Sequence, residues 1–110
     1  MLTEKFYKVR RDDNSVGIRC YTRFVNDIND DVHYFIDTET GRCCDEGYTR
    51  TDLIIHTDDK KMTDKVMSFV CKRYGCELDV DREELVAKED YILVQTMLAI
   101  YTWIEFKEGE

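Results

Sequence analysis

The chain has 110 residues, enough for one hydrophobic core and too few for a second domain. Hydrophobic residues make up 43% and aromatics 12%, which excludes a disordered chain, and no apolar run reaches the ~18 residues that a membrane-spanning helix needs. Net charge is −8, and it is unevenly spread: residues 1–25 hold six basic and three acidic side chains, so the remainder carries −11. Such a polyanion repels nucleic-acid phosphates, which argues against ordinary DNA or RNA binding and for a basic protein partner.

Proline is absent and there are five glycines, so no flexible linker is expected. The start, Met1 to Phe6, lacks the apolar stretch of a signal peptide, so the expected compartment is the cytoplasm with its five cysteines reduced. Leu2 to Arg11 mixes apolar and basic residues without a clean period, and residues 1–14 read as an N-terminal arm or a short helix. From Ser15 to Val25 the residues alternate, with Val16, Ile18, Cys20, Thr22 and Phe24 on one face of a strand. A polar turn over Asn26–Asp31 leads to a second strand, Val32 to Asp37, and Thr38–Gly41 forms a hairpin loop into a short third strand from Arg42. In that strand Cys43 and Cys44 point to opposite faces.

Gly47 to Ile55 can begin a short helix capped by Thr49 or Thr51. A longer helix runs from an Asp58 or Asp59 cap to Tyr74, with Met62, Val66, Phe69 and Val70 at spacings of three and four. Its end explains the motif Cys71-Lys72-Arg73-Tyr74-Gly75-Cys76. Glycine after the cap supplies the left-handed residue, and Cys71 then meets Cys76 across it, so the cysteine spacing follows from helix termination. Cys76, Leu78 and Val80 mark one face of another strand, Glu84 to Lys88 returns as a second, and Asp90 caps a final helix to about Phe106 that is apolar nearly all round. The prediction is a single α+β domain over residues 1–110: an antiparallel sheet of about five short strands, in the order β-β-β-α-β-β-α, against two main helices.

No catalytic, metal or cofactor site is expected. Cys20, Cys43, Cys44, Cys71, Cys76, His33 and His56 contain no Cys-x2-Cys or His-x3-His unit. Asp37, Asp45, Glu46 and Asp52 surround one hairpin and its following turn and could gather a hard cation, which makes a metal-dependent enzyme the alternative class. What stands out is negative charge in loops and on outer strand faces: Asp27, Asp30 and Asp31, then Asp45 and Glu46, then Glu77, Asp79, Asp81, Glu83 and Glu84. Trp103 lies off the main face of the last helix and is a candidate interface residue, which admits a homodimeric module as a third class.

The segment "DEGYTRTDL" (Asp45 to Leu53), set between a strand hairpin and a helix, together with "LVQTMLAIY" (Leu93 to Tyr101), resembles the family catalogued as domain of unknown function 1828. The resemblance covers about residues 15 to 105 and departs in the Cys43–Cys44 strand and at Arg50. It implies a small protein of bacterial, phage or mobile-element origin and assigns no catalytic residue. With the charge pattern, it leads to the expectation of an acidic inhibitor that mimics nucleic acid and blocks the basic site of a CRISPR or other defence nuclease, without touching nucleic acid or membrane itself.

Overall fold

The computed structural model describes residues 3–109, with side chains from Lys5 onward. In chain order the elements are β1 (Thr3–Arg10), β2 (Val16–Val25), β3 (Asp31–Asp37), β4 (Cys43–Cys44), α1 (Tyr48–Thr57), α2 (Lys60–Tyr74), β5 (Glu77–Asp79), β6 (Glu84–Ala87) and α3 (Asp90–Glu108). All six strands form one antiparallel sheet in the order β1-β2-β3-β4-β6-β5. The predicted α+β class is therefore correct, with one more strand and one more helix than the main count.

The additional strand is β1, where an arm or short helix was expected; Leu2 lies outside the described residues. Its neighbour β2 pairs with it from Thr3↔Thr22 to Arg10↔Val16. Period two is hard to read in β1 because Lys5, Phe6, Tyr7 and Lys8 are all exposed: an edge strand with neither face fully covered has no reason to segregate its side chains.

Short turns set the register. Asn26 Oδ1 accepts from the amides of Ile28 and Asp30, and Asn29 adopts φ 64°. Asp37 Oδ1 accepts from Glu39 and Thr40, and Gly41 closes that turn at φ 75°. Both are the side-chain-to-backbone bonds that favour Asx residues in turns.

Helix ends follow their caps at α2, with revisions at the starts of α1 and α3; in α3 the expected cap, Asp90, is the first helical residue and accepts from Tyr34 Oη, while Glu89 precedes the helix with no side-chain cap bond. Asp59 caps α2 through Met62 N at 3.1 Å. At the other end Gly75 takes φ 79°, and the amides of Gly75 and Cys76 both reach the Cys71 carbonyl, at 2.9 and 3.0 Å. Cys71 and Cys76 are buried together there, as the helix ending requires. The start of α1 differs from expectation: Gly47, at φ 83°, precedes the helix, and the capping acceptor is Asp45 rather than a threonine.

The core lies between one face of the sheet and the three helices. Cys20, Val32, Tyr34, Cys43, Leu85 and Ala87 face Leu53 from α1, Met67 and Val70 from α2, and Leu93, Met97, Ile100 and Ile104 from α3. The last helix is apolar all round because it touches α1, α2, β4 and β6 at once. Cys43 lies in this core and Cys44 on the opposite sheet face, as their adjacency in a strand predicts. Val80, expected inside, is 76% exposed because β5 stops at Asp79.

The opposite face is covered too, in part. The Arg11–Ser15 turn between β1 and β2 folds across the sheet, so that Arg11 reaches Glu84 on β6 and sits 5.1 Å from the Phe35 ring centroid. Gly17 lets β2 and β3 pack closely beside it: a Cβ there would overlap the Ile36 carbonyl oxygen and lie 2.6 Å from the Phe35 ring. Phe35 is consequently 1% exposed on the face away from the helices.

Candidate functional site

The ten predicted acidic residues divide by environment. Asp45 is fully buried and belongs to no surface. Its Oδ1 accepts from Leu85 N at 2.8 Å and Gly47 N at 3.0 Å, and its Oδ2 from Thr49 N at 3.1 Å, so one carboxylate ties the end of β4 to β6 and to the start of α1. Burial pushes its pKa up, against the pull of those amides.

Glu46 and Glu84 are corrected in the same sense. Their side chains are 9% and 5% accessible, and arginines cover them. Arg19 holds Glu46 through two bonds, Nε to Oε1 at 2.8 Å and Nη2 to Oε2 at 2.7 Å. Arg11 bonds Glu84 and lies 3.8 Å from Glu46, and Arg82 pairs with Asp13 while standing 3.9 Å from Glu84. Three arginines thus answer three carboxylates on the outer face, under the folded-over turn.

Asp27 is also withdrawn: its side chain is 6% accessible and meets His56 Nε2 at 2.8 Å, while His56 Nδ1 meets Glu108. This cross-brace joins the β2–β3 turn to the ends of α1 and α3. Asp27, His56 and Glu108 form the one described group with ligand atoms close enough to hold a metal ion. Sequence spacing conceals it because its members lie 29 and 52 positions apart. The carboxylates first considered for a cation, Asp37, Asp45, Glu46 and Asp52, form no such group among the described residues. Asp37 serves its turn, and Asp52 accepts from Tyr101 Oη at 2.6 Å, with burial raising the pKa of both partners.

Six predicted carboxylates reach solvent. Asp30 and Asp31 stand at the β2–β3 turn, beside an aromatic row formed by Tyr7, Tyr21, His33 and Tyr48 with centroid separations of 5.9, 5.1 and 4.9 Å. Asp30, Asp31 and Asp52 line the hollow at that row, and their charge opposes a phosphate backbone stacking there. Glu77, Asp79, Asp81 and Glu83 lie on the β5–β6 hairpin at the sheet edge. Glu77 is steadied by Arg42 at 2.7 Å and Glu83 by Arg50 at 3.3 Å, yet their side chains remain 73% and 63% accessible.

All five cysteines are free and buried, and burial pushes Cys43 up to about 11 and Cys44 up to about 12, the latter helped by Glu84. Cys71 is raised as well, first by its hydrogen bond to Cys76 and then by burial, and the same bond lowers Cys76. Trp103 is partly buried against the core edge and borders a groove between α2 and α3.

No protein-family model, curated protein or solved structure matches the chain, so the resemblance to domain of unknown function 1828 gains no support. No helix among the described residues is long and apolar enough to cross a membrane.

Proposed function

We propose that the chain is a small non-catalytic binding protein that docks the acidic β5–β6 hairpin into a basic cleft, as an inhibitor of a nucleic-acid enzyme such as a CRISPR or other defence nuclease. The observation that carries this is the hairpin itself. Glu77, Asp79, Asp81 and Glu83 are presented from an edge strand and its tight turn, with Asp79 Oδ1 accepting from Arg82 N at 3.2 Å to hold the loop. A preformed row of carboxylates binds a phosphate-reading cleft with little ordering cost, and its association is fast and falls with salt. Arg42 and Arg50 pair with Glu77 and Glu83 from one side only, and those carboxylates keep most of their surface open to a partner.

Cleavage assays with a panel of RNA-guided and restriction nucleases test this, using the wild type beside a Glu77→Lys, Asp79→Lys, Asp81→Lys, Glu83→Lys quadruple variant. Inhibition of at least one enzyme, relieved by salt and absent in the variant, is expected. Failure to inhibit any nuclease, or inhibition that survives charge reversal, refutes the proposal.

A further inference from the structure

The face of the molecule formed by α2 and α3 has the reverse chemistry. A groove of about 530 Å³ runs between them, lined by Met62, Phe69, Tyr74 and Trp103, with Lys65 and Arg73 on its rim. No described carboxylate lines it, although the chain has 24 acidic side chains against 16 basic ones. Lys65, Phe69 and Arg73 stand at i, i+4 and i+8 on α2, which places a bare aromatic ring between two cations along one helical stripe. Phe69 is 71% exposed, an unusual position for phenylalanine with nothing to cover it. The Lys107 ammonium lies 5.8 Å over the Trp103 ring, in the adjoining hollow that also holds Asp59 and Glu108.

We infer that this groove is a docking site for an amphipathic helix of a partner protein whose apolar face is flanked by glutamate or aspartate. An amphipathic helix laid between two others presents apolar anchors at i, i+3, i+4 and i+7, which suits a groove floored by methionine and aromatic side chains. The cationic rim selects the sign of the flanking residues. Although the protein repels acidic partners at long range, that repulsion is screened beyond ~8 Å at physiological salt, so the rim decides at contact. A second copy of the chain fits poorly: a two-fold interface sets the same patch against itself and would bring Lys65 and Arg73 against their own counterparts. The site is distinct from the β5–β6 hairpin and takes a partner of opposite charge.

Trp103 is the only tryptophan, so its fluorescence reports on the groove directly. The probe is a synthetic helical peptide with leucines on one face and glutamates flanking them, titrated beside a counterpart with lysines in place of the glutamates. A blue shift of Trp103 emission with the glutamate peptide and none with the lysine peptide is expected, and Phe69→Ala should weaken binding about tenfold or more. The Lys65→Glu, Arg73→Glu double variant should reverse the preference; both positions are exposed, and circular dichroism verifies that the variant folds. Absent binding, equal binding of both peptides, or an unreversed preference overturns the inference. So does light scattering that shows a dimer broken by Phe69→Ala, which would give the face to a second copy.

Discussion

Replacing Asp45 with alanine removes the acceptor for three backbone amides at a point with no exposure to solvent. Hydrogen bonds to a charged acceptor contribute ~1.5–3 kcal/mol each, and a buried donor left without a partner costs ~1–3 kcal/mol. Against this stands the desolvation cost of the carboxylate, which its raised pKa shows to be only partly offset. The net loss for Asp45→Ala is expected at ~3–4 kcal/mol, a large part of the ~5–15 kcal/mol that holds a domain folded, and Tm should fall by ~12–16 °C. Asp45→Asn keeps a carbonyl oxygen for Leu85 and Gly47 but turns its NH2 toward Thr49 N, so its loss should be smaller, ~1–2 kcal/mol. Urea titration followed by circular dichroism measures both, with an unchanged m-value confirming that the two states are the same. A loss below ~1 kcal/mol for Asp45→Ala, or asparagine costing more than alanine, would refute the account.

Gly17→Ala should cost ~3 kcal/mol, because the new methyl meets the Ile36 carbonyl and the Phe35 ring; a neutral result in the same titration would mean that β2 and β3 do not approach this closely at Gly17. Cys71→Ala and Cys76→Ala should each cost ~1 kcal/mol, and none of the five thiols should react with Ellman's reagent until urea is added; rapid labelling of the native protein contradicts their burial. Asp52 supplies a pH test. Its folded-state pKa is raised by burial, so its contribution to stability is full below the unfolded-state value of about 4 and is lost as pH rises through the folded value. Asp52→Asn retains an acceptor for Tyr101 without the charge and should gain a few tenths of a kcal/mol at pH 7, this half-exposed group being screened by solvent, and about nothing at pH 3.5. A gain that persists in acid overturns that reasoning.

Local signals in the sequence located most of the elements. Asp59 and Gly75 bracket α2 with their capping chemistry, and the alternation of β2 places Ile18, Cys20 and Thr22 on its core face, whereas Val16 and Phe24, expected with them, are exposed. What local pattern could not convey was the second covering of the sheet. Glu84 alternates outward as predicted, but outward here means beneath Arg11, because the β1–β2 turn folds over that face of the sheet. Nothing in the identity of Glu84 or Asp45 separates them from Asp79 or Glu83. The difference lies in partners 27 to 73 positions away, which is why an acidic surface of ten residues contracts to six. Trp103 was legible as an exception to its helix face, whereas the cationic rim around its groove was not, since Lys65 and Arg73 look like ordinary solvated residues until α3 is placed beside them.

The sheet ends in two unlike strands, and this bears on how molecules meet at high concentration. One margin, β1, is eight residues long and carries Lys5, Lys8 and Arg10; the other, β5, has three residues, two of them Glu77 and Asp79. An unpaired strand margin is a template on which another chain can add a strand, and a charged margin resists that addition. The brevity of β5 limits each such junction to about three residues of ladder, too few to hold without a hydrophobic face behind it. The longer margin, β1, is guarded instead by the lysines and arginine along it, a common device against edge-to-edge pairing.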